Sequence, residues 1–351
     1  MPYIAATETA FPPHYHSQEA LIAAFRELWA KRYHNPGRIE QFHRNVLVGG
    51  RHLAYPIERY AEFTSFGASN DAWIEAALGL GEETLRGLLG KADLPPSEVS
   101  LLAFTTVTGI AVPSIDARLM NRIPFSPRLK RLPIFGLGCL AGAAGVARVA
   151  DYLAGHPREA AILLSVELCS LTLQREDLSI ANIVSSGLFG DGAAAVLLVG
   201  DEHPLARGPA VVASRSAFFP DSEGVMGWKV VDTGFQIVLT NEVPEFARHR
   251  IRPAVSELLS EHGLEIGDIT HWIAHPGGPK VIDALEEGLS LERGALDLSR
   301  ESLARVGNLS SASVLFVLQE TLQQHDPAPG TYGMMLAMGP AFCAEVVLLR
   351  W

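Results

Sequence analysis

Short runs of aliphatic residues alternate along the chain with longer segments in which apolar side chains recur every three to four positions. The short runs are typical of buried strands, and the longer segments predict amphipathic helices. Strands that alternate with helices indicate an α/β architecture in which helices cover both faces of a sheet. The predicted strands span 101–106, 160–166, 193–199, 270–274 and 332–338, and the predicted helices span 18–30, 70–90, 139–154, 244–262 and 311–324.

A polar break interrupts this pattern just past the middle of the chain. Residues 200–204 read Gly-Asp-Glu-His-Pro, a composition typical of a loop. We therefore predict two halves, residues 1–203 and residues 204–351. Each half contains a strand, a glycine-rich element and a long helix rich in small residues, a similarity that would fit an old duplication.

Composition narrows the class of protein. Of the 351 residues, 48% are apolar and 19% are charged, which is typical of a well-packed globular protein. The net charge of −11 argues against general binding to nucleic acid or to anionic membranes. The longest uncharged run, 132–147, is too short to span a bilayer, and the N-terminus lacks the pattern of a secretory leader. We expect a cytoplasmic protein with no membrane span and no nucleic-acid partner.

The segment 136–155 is the most informative part of the sequence, because it places a cysteine between a Gly-Leu-Gly turn and a helix of small residues. Backbone N–H groups at a helix N-terminus stabilise a thiolate, which makes Cys139 a candidate nucleophile. The alternative is a buried structural cysteine. That alternative is the stronger one for Cys169 and Cys343, which lie in or beside apolar runs without such a turn. The odd number and wide spacing of these cysteines argue against disulfides.

Two further residues can complete a site around the cysteine. His275 follows a predicted strand on a His-Pro-Gly-Gly loop, where open α/β folds place their active sites. Asn308 precedes an apolar helix and could simply cap it, as could Ser310 or Ser311. Together with Cys139, however, a histidine supplies a base, and a histidine and an amide supply two donors for a thioester oxygen. Sequence order alone does not show that the three meet.

The chain resembles type III polyketide synthases, the chalcone-synthase-like family. The matching stretches occur in that family's order and spacing and extend over essentially the whole chain. The His-Pro-Gly-Gly and Gly-Asn-Leu-Ser-Ser-Ala-Ser sequences are the most specific of them. The stretches span 111–123, 136–155, 187–200, 275–289, 306–320 and 335–351.

This resemblance implies a thiolase-like fold of five layers, αβαβα, made of two similar halves, in a homodimer. It implies that Cys139 carries the acyl group, and that His275 and Asn308 stabilise the thioester oxygens and promote malonyl decarboxylation. Acyl-CoA and malonyl-CoA are then the substrates, and no metal or bound redox cofactor is needed. Val112-Pro113 matches a loop that crosses the dimer interface.

Other positions match residues that shape the substrate cavity of the family. Phe189 matches an aromatic gatekeeper between the CoA tunnel and the cavity, and Asp191-Gly192 matches a structural turn. Ile237 falls at a second gatekeeper position that is usually aromatic in plant members, with Phe235 two residues before it. The remaining matches to cavity positions are Ser310 and the stretch from Cys169 to Thr172.

Two departures from the family pattern concern the CoA site and the C-terminus. The basic residues that bind the CoA phosphates in plant members are poorly matched here. The usual Gly-Pro-Gly near the C-terminus reads Gly-Pro-Ala, ending in Ala341. The nearest candidates for the CoA site are Lys31 and Arg32, followed by Arg38 and Lys280.

The expected reaction is a decarboxylative Claisen condensation of malonyl-CoA onto an acyl-CoA starter loaded on Cys139, followed by cyclisation. Ile237 favours an elongated starter and an alkylpyrone or alkylresorcinol product. The alternatives are a malonyl-primed naphthalene- or phloroglucinol-type synthase and a carrier-protein-dependent 3-oxoacyl synthase. A papain-type hydrolase is disfavoured, because Leu140-Ala141-Gly142 follows the cysteine where those enzymes place a tryptophan and a second cysteine nearby. A non-catalytic scaffold would not need the intact trio.

Overall fold

The computed structural model describes residues 1–30, 32–33, 35–324 and 327–351. All five predicted strands and all five predicted helices are present within a few residues of their predicted ends. The strands are β1 (Tyr3–Ala10), β2 (His14–Ser17), β3 (Gly50–Leu53), β4 (Val99–Thr105), β5 (Lys130–Ile134), β6 (Ala160–Leu168), β7 (Asp191–Val199), β8 (Ala210–Phe218), β9 (Met226–Val231), β10 (Gly234–Leu239), β11 (Ile269–Ala274), β12 (Tyr332–Gly339) and β13 (Cys343–Arg350). The helices are α1 (Gln18–Trp29), α2 (Pro36–Asn45), α3 (Phe66–Ala92), α4 (Ile115–Leu119), α5 (Ala141–Ala154), α6 (Ile180–Leu188), α7 (Val243–Glu261), α8 (Pro279–Leu289), α9 (Asp297–Val306) and α10 (Ser313–Gln324).

Nine strands form one continuous ladder, in the order β11-β12-β13-β8-β1-β7-β6-β4-β5. The ladder joins at β1 and β8, which pair through Tyr3 and Ala210. On one side of this join lie strands from the first part of the chain, and on the other side lie strands from the second part. The boundary predicted after residue 203 falls in the connection between β7 and β8.

Successive residues of each central strand pack into different hydrophobic clusters, which shows that helices cover both faces of each group of strands. One face of β4, β6 and β7 packs against α3. Their other face packs against α5 and α10, which also contact one face of β12 and β13. The opposite face of β12 and β13 packs against α7 and α8. The layers therefore run helix, sheet, helix, sheet, helix, and the central helical layer is α5 with α10.

Small residues in α5 allow this central layer to pack closely. A methyl group on Gly142 would lie 2.2 Å from the Ser311 carbonyl oxygen, and one on Gly145 would lie 2.6 Å from Leu163 Cδ1. Real side chains do not approach a backbone oxygen this closely, so glycine is required at position 142, whereas a side chain at position 145 would force Leu163 to move. This close approach holds α5 against the segment that precedes α10.

Several strands were not predicted from the sequence, and their patterns explain why. A bulge between Ile4 and Ala6 breaks the alternation of β1. The β9–β10 hairpin is mostly half-buried and mixes polar with apolar residues. Within the described ranges, no helix is long and apolar enough to cross a bilayer.

Candidate active site

Cys139 lies in a short 3-10 helix, Gly138–Leu140, so that α5 begins two residues later than the predicted start at 139. Gly138 has a φ of 54°, and a methyl group there would lie 2.6 Å from Pro340 Cδ. Only glycine therefore fits this turn. The Cys139 side chain is 8% exposed, and its thiol donates to Ser310 Oγ at 3.7 Å. The turn thus brings the sulfur to the segment that carries Asn308.

Asn308 is fixed through both its backbone and its side chain. Its N–H donates to Leu188 O at 2.9 Å, and its carbonyl accepts from Gly190 N at 3.0 Å. The side-chain Oδ1 accepts the Ser310 N–H at 2.8 Å, a bond within the turn that precedes the 3-10 helix Ser310–Ala312. Leu309, and not Asn308, is the residue that directly precedes that helix, so Asn308 does not cap it. The Asn308 Nδ2 donates to Gly277 O at 3.3 Å, which places the amide N–H2 group against the loop after β11.

His275 lies on that loop, directly after β11. Its backbone N–H donates to Leu336 O at 2.8 Å, and its carbonyl accepts the Gly277 N–H at 2.9 Å, closing a tight turn. The side chain is 3% exposed, and its Nδ1 is buried without a hydrogen-bond partner in the described part of the chain. A connected series of contacts therefore links Cys139 to Asn308 and Asn308 to the His275 loop.

Burial dominates the electrostatics of this site. Desolvation raises the pKa of Cys139 to about 12; the hydrogen bond to Ser310 opposes this shift and the charge of Glu167 adds to it. Desolvation also lowers the pKa of His275 to about 4. Desolvation therefore favours the neutral form of both the thiol and the imidazole. A neutral imidazole can accept a proton from a thiol, which is what a cysteine nucleophile requires.

Glu167 is part of the site but was not predicted from the sequence. It is fully buried near the end of β6, where its Oε2 accepts the Val107 N–H and the Thr108 hydroxyl, both at 3.0 Å. Its Oε1 accepts the Ser311 N–H at 3.3 Å and also the Ser311 hydroxyl. These bonds hold the residue next to Ser310, which itself has a φ of 49°. The available signal was a charged residue inside an otherwise apolar strand.

A cavity of about 450 Å³, within the range typical of small-molecule sites, is lined by Phe189 but not by Cys139, His275 or Asn308. The predicted cavity residues Phe189, Ile237, Cys169 and Thr172 all line it, whereas Ser310 contacts Cys139 instead. Phe189 also forms a parallel β-bridge with Asn308, so it connects the cavity wall to the trio. The lining further includes Arg51, Tyr60 and Trp228, which were not predicted from the sequence.

The residues around Ile237 explain why it, and not Phe235, faces the cavity. Phe235 is 3% exposed and packs edge-on against Phe66, with ring centroids 5.3 Å apart. Ile237 lies two residues further along β10 and pairs with Trp228 across the hairpin. An aliphatic side chain therefore occupies the position that the family resemblance assigns to a second gatekeeper.

Of the basic residues considered for CoA, the three that the structure describes are not part of the cavity lining. Lys31 is outside the described residues. Arg32 is exposed and pairs with Glu176, and Arg38 lies over the Phe42 ring at 5.3 Å. Lys280 is exposed at the start of α8, the helix that follows the His275 loop.

Comparison with known proteins gives matches over nearly the whole chain. Residues 54–202 match the family model of the N-terminal domain of chalcone and stilbene synthases, and residues 210–351 match the model of their C-terminal domain. A 1,3,6,8-tetrahydroxynaphthalene synthase of Streptomyces peucetius subsp. caesius is 48% identical over 350 residues, which cover 99% of this chain and 93% of that protein. A phloroglucinol synthase of Pseudomonas fluorescens is 30% identical over 344 residues, 97% of each chain.

A solved structure gives the same result at the level of the fold. The crystal structure of the 1,3,6,8-tetrahydroxynaphthalene synthase from Streptomyces coelicolor A3(2), a bacterial type III polyketide synthase, superposes with a TM-score of 0.94. The two proteins share 29% sequence identity, and the match covers 99% of each chain. The likeness therefore includes both groups of strands and the helical layer between them.

Proposed function

This chain belongs to the chalcone and stilbene synthase family and is a type III polyketide synthase, and from that premise we propose that Cys139, His275 and Asn308 catalyse its condensation. The predicted thiolase-like αβαβα fold and the predicted acyltransferase class are both confirmed. Members of the family act on CoA thioesters. The observation that carries the proposal is the series of contacts from Cys139 through Ser310 to Asn308 and the His275 loop.

The first step loads the starter. The imidazole of His275 accepts the thiol proton of Cys139, and the sulfur attacks the carbonyl carbon of the acyl-CoA thioester. The bond between that carbon and the CoA sulfur breaks, and CoA leaves with the proton. The product is an acyl group held on Cys139. Two contacts then hold the nucleophile in place, the turn at Gly138 and the neighbouring Ser310 hydroxyl.

The second step extends the chain. Malonyl-CoA loses CO2, and the electrons of the broken C–C bond pass to the thioester oxygen as an enolate. The Asn308 amide and an imidazole N–H of His275 donate hydrogen bonds to that oxygen, and one such donor contributes about 3–4 kcal/mol. The enolate carbon attacks the acyl group on Cys139 and releases its sulfur. Transfer of the longer chain back to Cys139 allows another round, and cyclisation ends the sequence.

The gatekeeper role proposed for Phe189 follows from its two contacts. Its backbone pairs with Asn308, and its side chain lines the cavity. An apolar ring at this point excludes water from the enolate and orients the chain that enters the cavity. Ile237, Cys169 and Thr172 shape the cavity wall, and Ser310 shapes the space beside the sulfur.

For the product, we propose the malonyl-primed, naphthalene-type alternative in preference to an alkylpyrone or alkylresorcinol. A relative that is 48% identical over 99% of this chain is a 1,3,6,8-tetrahydroxynaphthalene synthase, and a more distant one is a phloroglucinol synthase. The argument for an elongated starter rested on Ile237 and on a general likeness to bacterial members of the family. A relative named for alpha-pyrone synthesis, from Mycobacterium tuberculosis, gives weaker support to the other product, because it is 30% identical over 78% of this chain.

Product analysis tests this choice. The purified protein is incubated with ¹³C-labelled malonyl-CoA alone and, separately, with malonyl-CoA plus a panel of fatty acyl-CoA starters, and products are identified by mass spectrometry. We expect an aromatic product whose carbon derives entirely from malonyl-CoA. A reaction without protein serves as the blank for spontaneous decarboxylation, and Cys139→Ala is the control for products that form without an acyl-enzyme. Products that form only when a fatty acyl-CoA is present would contradict malonyl priming and restore the alkylpyrone or alkylresorcinol.

A homodimer in the cytoplasm is part of the same proposal. The Val112-Pro113 loop matches the family segment that crosses the dimer interface, and Val112 is 91% exposed in the single chain. Ile110 and Phe135 add exposed apolar surface to the same region of the sequence. Apolar side chains left in water at this density are typical of an interface with a partner chain.

A further inference from the structure

Arg51 is a buried cation that has few partners within the protein. It lies in β3 and is one of the residues that line the cavity. It is only 1% exposed. Its Nη1 donates to the Phe189 carbonyl oxygen at 3.2 Å, and its Nε is buried without a partner in the described residues. A buried charge with one neutral hydrogen bond is costly, so an anion is the partner that this group lacks.

The nearest carboxylate does not fill that role. Asp191 interacts electrostatically with Arg51, but no ion pair within 4.0 Å joins them among the residues that the structure describes. The oxygens of Asp191 are occupied instead by the Ala54 N–H at 2.7 Å, the Ser170 N–H at 2.8 Å and the Ser170 hydroxyl. Burial lowers the pKa of Arg51 to about 10, which still leaves the guanidinium charged at neutral pH.

The position of Arg51 in the cavity restricts what the missing anion can be. The other charged residues of the lining, Glu27, Glu58 and Arg175, are exposed or half-buried, whereas Arg51 is buried. Arg51 also contacts the backbone of Phe189, the residue that connects the cavity wall to Asn308. An acyl chain attached to Cys139 and passing Phe189 would therefore meet Arg51 inside the cavity.

We propose that Arg51 binds the free carboxylate of a malonyl starter unit and thereby selects malonyl-CoA over neutral acyl-CoA primers. This inference rests on the proposed malonyl-primed function. Among the CoA thioesters considered, malonyl-CoA carries a carboxylate at the end remote from the sulfur, and a guanidinium binds a carboxylate through two parallel hydrogen bonds. Arg51 would also stabilise the carboxylate against loss as CO2, whereas Asn308 and His275 stabilise the enolate that CO2 loss creates.

Starter competition in Arg51 variants tests the proposal. Wild type, Arg51→Met and Arg51→Lys are compared with malonyl-CoA alone and with malonyl-CoA plus hexanoyl-CoA, and each product is quantified by mass spectrometry. Arg300→Met is the matched control, since Arg300 pairs with Asp283 and Glu286 on the helical surface. We expect the ratio of malonyl-primed to hexanoyl-primed product to fall by about tenfold or more in Arg51→Met, the loss of a charge-assisted hydrogen bond.

The remaining outcomes distinguish this inference from the function on which it rests. An unchanged product ratio in Arg51→Met, even with lower total activity, would show that Arg51 supports the fold and would overturn the inference alone. If Arg51→Met does not fold, as judged by thermal unfolding, Arg51→Lys decides in the same way, because it keeps a charge but not the planar pair of donors. A wild-type protein that makes nothing from malonyl-CoA alone would overturn both proposals.

Discussion

The regions around Cys139 and Cys169 differ less in burial than in what surrounds each sulfur. The two side chains are 8% and 7% exposed, and burial raises the pKa of both thiols, with the charge of Glu167 adding to the shift in each case. Cys139, however, stands at a glycine turn before α5 and contacts Ser310. Cys169 directly follows the fully buried strand β6 and begins a short 3-10 helix, Cys169–Thr172.

This difference shows that neither burial nor a shifted pKa identifies a nucleophile. A reactive thiol needs a base to remove its proton and donors for the oxygen of its substrate. Cys139 has contacts leading to both, through Asn308 and the loop of His275. Cys169 lines the cavity with Thr172, whose hydroxyl donates to the Cys169 carbonyl oxygen. Its position suits a residue of the cavity wall that contacts the growing polyketide chain without forming a covalent bond to it.

The most direct way to break this comparison is to remove each sulfur in turn. We expect Cys139→Ala to lower the rate of polyketide formation by about a thousandfold or more, because no acyl-enzyme can form. Cys169→Ala should form product within about tenfold of wild type, since it removes only a wall contact. Product formation and malonyl-CoA decarboxylation are measured separately, by mass spectrometry and by CO2 release.

The two readouts separate loss of the nucleophile from loss of the fold. Cys139→Ala should retain some decarboxylation, because Asn308 and His275 remain. Full product formation by Cys139→Ala would contradict its assignment, and a loss in Cys169→Ala as large as that in Cys139→Ala would remove the distinction between the two cysteines.

The same contrast recurs between two buried histidines, and it predicts a pH effect on stability. Burial lowers the pKa of both His43 and His275 to about 4. His43 Nε2 lies 3.0 Å from Ile183 O and 3.2 Å from Ser186 Oγ, bonds that join α2 to α6. Both rings have an Nδ1 without a partner in the described residues, but His275 lies on the loop whose Gly277 carbonyl oxygen accepts from Asn308 Nδ2.

The sign of the effect follows from proton binding. Between pH 6.5 and about 4, the unfolded chain protonates these histidines and the folded protein does not, so stability is lost as the pH falls through this window. For each histidine the loss is on the order of 3 kcal/mol. Asp191 acts in the opposite direction, because burial raises its pKa to about 6, and it offsets part of the loss.

A pair of variants isolates the histidine contribution. Urea unfolding of wild type, His43→Gln and His275→Gln is measured at pH 7 and pH 4.5. Each variant should lose less stability than wild type on acidification. Activity should fall in His275→Gln by about a hundredfold or more, whereas folded His43→Gln should remain active. If both variants keep the full pH dependence of wild type, these histidines are not neutral in the folded protein.

Much of the fold was predictable because both faces of its strands are buried. Strands such as β6 and β7 are mostly apolar and buried from end to end, and helices such as α3 and α7 are long enough for their periodicity to be clear. The hairpin of β9 and β10 was not predictable in the same way. It is short, mixed in polarity and held by pairing within itself, so its pattern carries little information.

The candidate site was predictable only as separate pieces. The turn at Cys139 and the loop at His275 could be recognised individually, because glycine and proline mark such turns. The contacts between them could not, since residues 139 and 310 meet across 171 positions of sequence. Glu167 and Arg51 were missed for a related reason: a charged residue in an apolar strand or beside two glycines gives no indication of which distant groups will surround it.

The smallest expected effect is a change in stability caused by backbone strain at Ala341, near the turn that carries Cys139. Ala341 replaces the last glycine of the usual Gly-Pro-Gly and has a φ of 59°, a left-handed conformation that a Cβ atom disfavours. Pro340, the residue before it, packs on Gly138 beside the nucleophile. We expect Ala341→Gly to stabilise the protein by about 0.5–1 kcal/mol, because relief of this strain exceeds the added entropy of the unfolded chain.

Differential scanning calorimetry is a suitable measurement, and the midpoint of unfolding should rise by about 1–2 °C. The matched control is Ala344→Gly, three residues further on in β13, where the backbone is extended and the side chain is 1% exposed. That change should destabilise the protein by about 1 kcal/mol, since glycine weakens a strand interior. If Ala341→Gly also destabilises, the loop that supports Cys139 is not strained, and the two cysteine regions do not differ in this respect.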